Sequence, residues 1–481
     1  MGQTKEKGQV DMDIKEFRKL GYRFVDWVAD YLENVGDLPV MAQVKPGEIR
    51  SKLPQEPPEK GEPMEALFED FKRIIFPGIT HWQHPGWFAY FPANNSPPSV
   101  LAELLTAGIG AQCMIWQTSP AAAELEEVVM EWLRKMLGLP EGMQGCIQDT
   151  ASTSTLVALL SARERATNFE SNEKGLKVPL TVYASEEAHS SVEKDVKIAG
   201  YGRENLRYIP TDENFAMIPS ELDKAIAADK AKGMKPACVI ATIGTTSSTA
   251  IDPLGPIGEI CAKHGVWLHV DAAFAGTAAV LPEKRDMLKG AQYMDSFVFN
   301  PHKWMLTNFD CSAYFVKDPG ALIRTFEIHP EYLKTGVDAK VKNFRDWGIQ
   351  LGRRFRALKL WFVLRSYGVE GIQEFVRKQI SMAQMFKEWV EAHENFELLA
   401  PVPFSLVCFR YNDGRGEEEL NQINEKLLNE VNNTAEVFLT HTSLRGKYTL
   451  RMAIGQRTTQ ERHVKKAWDI IVESSERLSR E

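Results

Sequence analysis

The stretch Phe297-Val-Phe-Asn-Pro-His-Lys-Trp304 places a lysine just after a short apolar run. Residues 293–299 are aromatic and β-branched, which is typical of a strand buried on both faces of a sheet. Asn300-Pro301 ends the run, so we expect Lys303 at the mouth of that strand, where a side chain can meet a ligand. Taken alone, the stretch is more typical of a solvated lysine in a loop.

A second apolar run, Val266-Trp-Leu-His-Val-Asp271, ends in a carboxylate at the same kind of position. Alone, Asp271 is compatible with a helix cap. Together, Asp271 and Lys303 supply the two groups that a pyridoxal phosphate site requires. The lysine forms an imine with the cofactor aldehyde, and the carboxylate keeps the pyridine nitrogen protonated. Because a lysine pKa of about 10.4 makes a poor nucleophile at neutral pH, burial and the cationic ring have to lower the pKa of Lys303.

Helical patterns alternate with apolar runs from about residue 97 to residue 365. The apolar runs are residues 180–183, 238–242, 266–270, 293–299 and 312–316. This alternation predicts an α/β domain with a mostly parallel sheet. Ligands of such sheets bind outside the carboxyl ends of the strands, which is where Asp271 and Lys303 fall.

A cluster of hydroxyl groups, Asp149-Thr150-Ala151-Ser152-Thr-Ser-Thr155, precedes a helical pattern over residues 156–166. Hydroxyls and free N–H groups at a helix N-terminus are suited to binding a phosphate. A cluster that only caps the helix is the alternative.

Asn300-Pro-His-Lys-Trp304, with Asp271-Ala-Ala-Phe-Ala-Gly276 upstream, resembles the group II pyridoxal-phosphate decarboxylases, specifically the aromatic L-amino acid decarboxylases. The resemblance runs almost end to end, through His81-Trp82 and Ala188-His189-Ser-Ser-Val192 to Leu450-Arg-Met-Ala-Ile454. It implies a fold-type I, aspartate aminotransferase-like large domain and a smaller C-terminal α+β domain.

The resemblance also implies which residues hold the cofactor. They are Thr150, Ala151, Ser152, His189, Ser191, Thr246, Asp271, Asn300, His302 and Lys303. In the family, His189 stacks on the pyridine ring. Asp149 departs from the family pattern, which usually has glycine there. A carboxylate beside a phosphate dianion is repulsive, so we expect Asp149 to turn away or to cap the helix.

An aromatic, proline-interrupted segment, residues 81–92, predicts a loop that lines a flat pocket. A zinc site at His81 and His84, or a plug of core aromatics, are the alternatives. The resemblance implies that the substrate contacts Trp82, Tyr90, Phe91, Pro92, Ala93, His189 and Gly352. Ala93 replaces the threonine of the animal enzymes, and Gly352 lies where plant relatives that take indole substrates tend to have glycine.

Residues 327–347 show little periodicity and predict a long loop that serves as a lid. Tyr332 in this loop is predicted to protonate the substrate Cα, with His189 as a second candidate. Because related aldehyde synthases of plants commonly carry phenylalanine at this position, Tyr332 favours simple decarboxylation.

The composition is that of an ordinary globular protein of two or three domains, with 481 residues, 44% of them hydrophobic and 25% charged. The net charge of −8 disfavours nucleic acid as a partner. The short basic run Arg353-Arg354-Phe-Arg356 is interpreted as a helix face or an anion contact. Six cysteines without a C-x-x-C pair predict reduced core thiols. With no apolar run near the ~18 residues needed to span a bilayer, we expect a cytoplasmic protein without a membrane or metal partner.

Three parts are predicted along the chain: an N-terminal helical segment over residues 1–96, a large cofactor domain over 97–365 and a small domain over 366–481. Apolar residues at helical spacing between Ile14 and Leu32 predict an amphipathic helix that needs a covering surface. By resemblance, that surface belongs to the second subunit of a homodimer.

The resemblance therefore predicts decarboxylation of aromatic L-amino acids to arylalkylamines, with tryptophan favoured and dopa, tyrosine and phenylalanine accepted. The rival hypotheses are an aromatic acetaldehyde synthase, a decarboxylase of acidic substrates such as glutamate, and a scaffold without catalysis.

Overall fold

A computed structural model describes residues 11–328 and 340–480. Within them, seven strands form one sheet in the order β1-β7-β6-β5-β4-β2-β3. The strands are β1 Gln144–Gln148, β2 Leu180–Ser185, β3 Leu206–Ile209, β4 Lys235–Thr242, β5 Trp267–Asp271, β6 Ser296–Phe299 and β7 Ser312–Val316. Strands β3, β2, β4, β5 and β6 are parallel, and β7 is antiparallel to both of its neighbours. Every residue of β2, β5, β6 and β7 is buried, as strands covered on both faces require.

Helices pack on both faces of this sheet, on the smaller sheet described below and in the N-terminal part of the described chain. The helices are α1 Ile14–Asn34, α2 Glu48–Lys52, α3 Met64–Asp70, α4 Pro97–Ile109, α5 Pro120–Leu137, α6 Ala151–Ala166, α7 Ser171–Lys174, α8 Ser191–Ile198, α9 Pro219–Ala231, α10 Leu254–His264, α11 Pro301–Trp304, α12 Pro319–Phe326, α13 Arg356–Ala392, α14 Glu417–Asn433 and α15 Glu461–Ser479. One apolar core joins the sheet to α5, α9, α10 and the start of α13. A second core joins it to α6, α8 and α12.

A smaller antiparallel sheet follows, in the order β10-β11-β9-β8. Its strands are β8 Phe396–Leu398, β9 Leu406–Tyr411, β10 Thr440–Leu444 and β11 Lys447–Ala453. Its core includes residues of α14, α15 and the second half of α13. Helix α13 changes direction at Gly368, whose φ of 66° lies outside the helical region.

The N-terminal aromatic segment is attached to this small sheet by main-chain hydrogen bonds. Phe88 N–H donates to the carbonyl of Phe438 (2.9 Å), and Ala453 N–H donates to the carbonyl of Phe88 (2.9 Å). Phe438 N–H donates in turn to the carbonyl of Gly86 (3.0 Å). The aromatic segment is therefore held against the small sheet by residues that lie far along the chain.

The predicted fold class, an α/β domain with a mostly parallel sheet and a smaller C-terminal domain, is confirmed. One strand is shorter than predicted, because β6 begins at Ser296 rather than at residue 293. Ala291–Tyr293 forms a 3₁₀ turn after Gly290, which has a φ of 104°. Strands β1 and β3 and the short helix α2 were not predicted. The domain boundaries at residues 97 and 366 stay predictions.

Over residues 11–328 and 340–480, no helix combines the length and the apolar character that a membrane span needs.

Candidate active site

A cavity of about 190 Å³ lies at the carboxyl ends of β4 and β5 and beside the lysine that follows β6. We call it the strand-end cavity. Its lining includes Thr242 and Asp271, the last residues of adjacent strands that pair in parallel register. All ten residues predicted to hold the cofactor line it: Thr150, Ala151, Ser152, His189, Ser191, Thr246, Asp271, Asn300, His302 and Lys303. The sheet topology therefore brings together positions that span more than 150 residues of sequence.

Lys303 lies on the short helix α11, which Pro301 begins directly after β6. Burial lowers the pKa of its ammonium group, and the negative charge of Asp271 opposes that shift. The ammonium nitrogen Nζ lies 5.5 Å from the ring centroid of Phe91. Among the described residues, it makes no hydrogen bond or ion pair. A lysine with a lowered pKa and an uncommitted nitrogen is suited to act as a nucleophile.

The Asp271 carboxylate is 6% exposed and ends strand β5. Its Oδ1 accepts a hydrogen bond from the main-chain N–H of Ala273 (3.0 Å), which fixes the orientation of the carboxylate. The turn that follows β4 begins at Gly244. The φ of Gly244 is +82°, and an added Cβ would lie 2.5 Å from the Cβ of Ala275. Only glycine permits that close approach, so the Gly244 turn can carry Thr246 to the cavity.

His189 is fixed by the residue that begins helix α8. Its ring Nδ1 accepts a hydrogen bond from the main-chain N–H of Ser191 (3.1 Å) and lies 2.8 Å from the Ser191 hydroxyl. Burial lowers the pKa of His189, with the Lys303 charge acting in the same direction and Asp271 opposing. A neutral ring whose Nδ1 is an acceptor carries its proton on Nε2. His189 can therefore present a flat, uncharged face or a single N–H donor.

The hydroxyl cluster lies where helix α6 begins. Thr150 is the residue before the first turn, and its Oγ1 accepts from the N–H of Thr153 (3.4 Å). Ala151 and Ser152 fall in that first turn, and Ser191 begins helix α8 nearby in the same cavity. Two helix N-termini and three hydroxyl side chains thus face one end of the cavity, which suits a phosphate.

The chemistry of this lining fits pyridoxal phosphate. Asn300 Oδ1 is buried and has no hydrogen-bond partner in the described part of the chain, so it is an acceptor available to a bound group. His302 is also buried, and burial lowers its pKa to about 3, so it adds no charge beside Lys303. The site thus offers hydroxyl donors at one end, a carboxylate at another and a lysine for the aldehyde.

A second, wider cavity of about 530 Å³ adjoins the first, with which it shares Phe91, His189, Thr246, His302, Lys303 and Phe309. We call it the aromatic cavity. Five further predicted substrate residues line it: Trp82, Tyr90, Phe91, Pro92 and Ala93. The Trp82 and Tyr90 rings are stacked, with centroids 5.8 Å apart. The aromatic cavity thus has flat apolar walls and opens onto the predicted nucleophile.

Two of the predicted site residues are not brought to these cavities by the described chain. Gly352 is exposed, and an added Cβ would lie 3.3 Å from Nε2 of Gln112. Gly352 lines neither cavity of its own chain. Tyr332 lies outside the described residues.

Residues that the sequence argument did not single out also line the cavities. In the strand-end cavity they are Thr242, Gly244, Ala273, Phe274 and Phe309, and in the aromatic cavity they are Phe309 and Arg451. Arg451 could have been singled out from the sequence, because it is a charged residue inside the apolar strand β11. Phe309 carried no such signal, because it is a single aromatic residue in the connection between α11 and β7.

The two histidines considered for zinc are engaged by the protein itself. His81 Nδ1 lies 3.1 Å from the hydroxyl of Tyr31. His84 Nδ1 accepts from the N–H of Gly86 (2.9 Å), and its Nε2 lies 3.2 Å from the carbonyl of Gly36. Burial lowers the pKa of His84 to about 4. Both rings serve to fix the entry to the aromatic segment.

Comparison with known proteins agrees with this geometry. Residues 46–412 match the family described as the pyridoxal-dependent decarboxylase conserved domain. Phenylacetaldehyde synthase of Arabidopsis thaliana is 43% identical over 478 residues, which cover 97% of each chain. Tryptophan decarboxylase 2 of Oryza sativa subsp. japonica is also 43% identical, over 96% of this chain and 94% of that protein. The crystal structure of Oryza sativa TDC with PLP and tryptamine superposes with a TM-score of 0.94 at 36% identity, over 97% of this chain and 99% of that chain.

The matched span holds the strand-end cavity, and the relatives are matched over nearly their full lengths. Lys303, Asp271 and the α6 N-terminus supply the groups that the cofactor of such enzymes requires. The chain therefore belongs to the family of pyridoxal-dependent decarboxylases, whose cofactor is pyridoxal 5'-phosphate.

Proposed function

We propose that this protein decarboxylates aromatic L-amino acids to arylalkylamines and CO2, with tryptophan preferred and dopa, tyrosine and phenylalanine accepted. The observation that carries the proposal is that Lys303 and His189 line both the strand-end cavity and the aromatic cavity. An amino acid whose ring fills the aromatic cavity thereby brings its amine and α-carbon to the nucleophile.

Different residues of the strand-end cavity are proposed to hold different groups of the cofactor. When bound, pyridoxal phosphate supplies a carbonyl that captures the substrate amine and a protonated ring that accepts the electrons of the broken bond. In our proposal, Lys303 would hold the cofactor through its aldehyde group, and Asp271 would interact with the ring nitrogen. Thr150, Ser152 and Ser191 donate to the phosphate. The Asp271 carboxylate, fixed by Ala273 N–H, keeps a proton on that nitrogen.

The fate of the substrate carbon depends on where a proton is delivered. We propose that Tyr332 would donate it to Cα and that neutral His189, with its proton on Nε2, would contact the cofactor ring. Delivery to Cα gives the amine. The apolar walls of Trp82, Tyr90 and Phe91 suit an aromatic side chain better than an acidic one such as that of glutamate. Arg451 also lines this cavity, but its guanidinium group already donates to the carbonyls of Thr246 and Ser247.

The preference for tryptophan rests on space. The aromatic cavity has a volume of about 530 Å³. Gly352 lines neither cavity of its own chain, so in our proposal it contributes space only at the cavity of the partner subunit in the dimer. A relative from Oryza sativa subsp. japonica is named tryptophan decarboxylase 2, and the solved structure of Oryza sativa TDC that resembles this chain contains tryptamine. Both observations support an indole substrate for this chain.

An aromatic acetaldehyde synthase is the second candidate, because phenylacetaldehyde synthase of Arabidopsis thaliana is as similar to this chain as the rice decarboxylase is. Tyrosine rather than phenylalanine at position 332 favours the decarboxylase.

We further propose a homodimer, because two helices expose apolar side chains that need a covering surface. On α4, Leu101, Leu104, Leu105 and Ile109 are between 48% and 64% exposed. On α1, Ile14 and Phe17 are more than half exposed. Light scattering of the pure protein should give twice the monomer mass. Leu104→Asp should reduce that mass, whereas Val178→Asp, at an exposed apolar residue elsewhere, should not.

A cytoplasmic location completes the proposal. All six cysteines lie in the described part of the chain, and each is a buried free thiol, as a reducing compartment favours. Fractionation of the source cells should recover the protein with cytosolic markers, and recovery with a secreted fraction would contradict the assignment.

Product analysis tests the proposed reaction. The pure protein with pyridoxal phosphate is given L-tryptophan, dopa, tyrosine, phenylalanine and glutamate, and amine, aldehyde and peroxide are followed together. We expect arylalkylamine without peroxide and the highest kcat/KM for tryptophan. Lys303→Ala should abolish turnover, whereas Lys289→Ala, at an exposed lysine, should not. Aldehyde with peroxide would identify a synthase, and a tenfold preference for tyrosine over tryptophan would refute the indole preference.

A further inference from the structure

Asp149 is the residue at the phosphate end of the site that departs from the family pattern, and its carboxylate is engaged on both sides. Oδ1 accepts a hydrogen bond from the main-chain N–H of Thr150 (2.6 Å) and lies 3.3 Å from the Thr150 hydroxyl. Oδ2 accepts from the side-chain amide of Gln350 (3.0 Å). Asp149 is half-buried and does not itself line the strand-end cavity.

Gln350 follows a segment that lies against the end of β1. The side-chain amide of Gln148 donates to the carbonyl of Trp347 (2.9 Å). A Cβ on Gly348 would lie 2.7 Å from Nε2 of Gln148, so a larger residue could not lie there without displacing that side chain. Trp347 and Gly348 therefore lie closely against the end of β1, and the exposed side chain of Gln350, two residues further on, reaches Asp149.

The hydrogen bonds of Asp149 affect Thr150, which lines the cavity at the start of the 16-residue helix α6. Its N–H and its hydroxyl are donors that an anion at this helix terminus would use. The N–H already donates to the Asp149 carboxylate (2.6 Å), and the hydroxyl lies 3.3 Å from the same carboxylate and 3.4 Å from the Thr153 hydroxyl. An incoming phosphate has to take these donors from Asp149 and accept a like charge close by, and both effects weaken its binding.

We propose that Asp149, anchored by Gln350, acts as an internal competitor for the phosphate of pyridoxal phosphate and sets a weak affinity for the cofactor. This inference rests on the proposed use of Thr150 as a phosphate contact. Asp149 is a positioning residue in this scheme, because it acts on the cofactor through Thr150. The protein then responds to the supply of pyridoxal phosphate, with a fraction of the chains unloaded when the cofactor is scarce.

The test is the dissociation constant of pyridoxal phosphate, measured by titrating the apoprotein and following the cofactor absorbance. Asp149→Asn keeps a side-chain oxygen that can accept from Thr150 N–H and removes the charge. We expect it to bind pyridoxal phosphate at least tenfold more tightly than the wild type. Inorganic phosphate should compete with the cofactor about tenfold more effectively in the variant. Pyridoxal, which lacks the phosphate, should bind both proteins equally.

Two controls make the result specific. Asp286→Asn removes the same charge from an exposed side chain and should leave all three affinities unchanged. Asp149→Ser also removes the charge while keeping an oxygen acceptor, and it should reproduce the gain if Asp149→Asn folds poorly.

Three outcomes would overturn the inference: an unchanged affinity for pyridoxal phosphate, a weaker affinity, or an equal gain for pyridoxal. None of these depends on turnover. A wild-type protein that binds the cofactor but releases no amine would refute the proposed function and leave the effect of Asp149 measurable.

Discussion

The guanidinium group of Arg451, on the small sheet, donates a hydrogen bond to the main-chain carbonyl of Thr246 (2.7 Å), in the turn after β4 of the large sheet. It also donates to the carbonyl of Ser247 (3.1 Å) and to the hydroxyl of Thr440 (2.9 Å). Arg451 is only 4% exposed. One side chain thus joins the two sheets at the wall that the two cavities share.

Replacing Arg451 with methionine should destabilise the protein by roughly 1–3 kcal/mol, because buried carbonyl groups lose their donor. The same change should weaken cofactor binding, since it releases the turn that carries Thr246. Urea unfolding and a cofactor titration measure the two effects. Arg462→Met, at an exposed position, should alter neither, and a stable variant with unchanged cofactor affinity would contradict this role for Arg451.

Asp271→Asn should keep the cofactor on Lys303 but lower kcat by roughly 10²-fold or more, within the range found when a group that controls a proton is removed. The amide cannot hold a proton on the pyridine nitrogen by charge. Borohydride should still fix the cofactor to the chain, which separates a catalytic defect from a binding defect. An equal loss of kcat and of the cofactor fixed by borohydride would mean that Asp271 serves mainly to build the cavity.

The arginines of the basic run at residues 353–356 form ion pairs with carboxylates of the same chain. Of the two interpretations given above, these pairs favour the anion contact. Arg353 is buried and pairs with Glu126 (2.6 Å), whereas Arg354 is 54% exposed and contacts Glu103. Arg353→Met should destabilise the fold by about 3–5 kcal/mol, because Glu126 is left buried and unpaired. Arg354→Met should cost about 0–1 kcal/mol. Denaturant unfolding of the two variants, one residue apart, gives the comparison, and similar losses would argue against a buried-charge effect.

Asp195, on α8, should make stability fall as pH rises. Burial raises the pKa of this carboxyl group from 3.8 to about 7. One of its oxygens has no hydrogen-bond partner among the described residues. Between these two pH values the unfolded chain ionises while the folded chain stays protonated, so the unfolded state is favoured increasingly.

Asp195→Asn should therefore stabilise the protein by roughly 1–4 kcal/mol at pH 8 and by little at pH 4. Thermal unfolding across this range measures the effect. Asp286→Asn serves as the exposed control. A gain that is the same at both pH values would show that packing, not ionisation, is responsible.

The residues that follow strands were predictable from the sequence. Asp271 and Lys303 lie at ends of buried apolar runs, and the rule that parallel strands meet at their carboxyl ends puts them together. Strand β1 was not predictable in the same way, because Gln144 and Gln148 at its ends interrupt the apolar pattern.

The residues that come from distant parts of the chain could not be placed by any local pattern. Arg451 reaches the site because the small sheet packs beside the turn at Thr246, and that packing depends on the whole fold. Gly352 shows the opposite limit. The resemblance assigns it to the substrate, yet it lines neither cavity of its own chain. In our proposal, Gly352 contacts the substrate only at the cavity of the partner subunit in the dimer.

The attachment of Gly86 and Phe88 to Phe438 and Ala453 bears on how the protein matures during synthesis. Roughly 350 residues separate the partners, and a ribosome adds about 5–20 residues per second. The aromatic segment therefore leaves the ribosome about 20–70 s before the strands that hold it. During that interval Trp87 and Phe88, which are buried in the folded protein, lack the residues of the small domain that cover them. A nascent chain stalled before residue 438 should consequently bind a chaperone through this segment, and the aromatic cavity is completed only after residue 453 has been added.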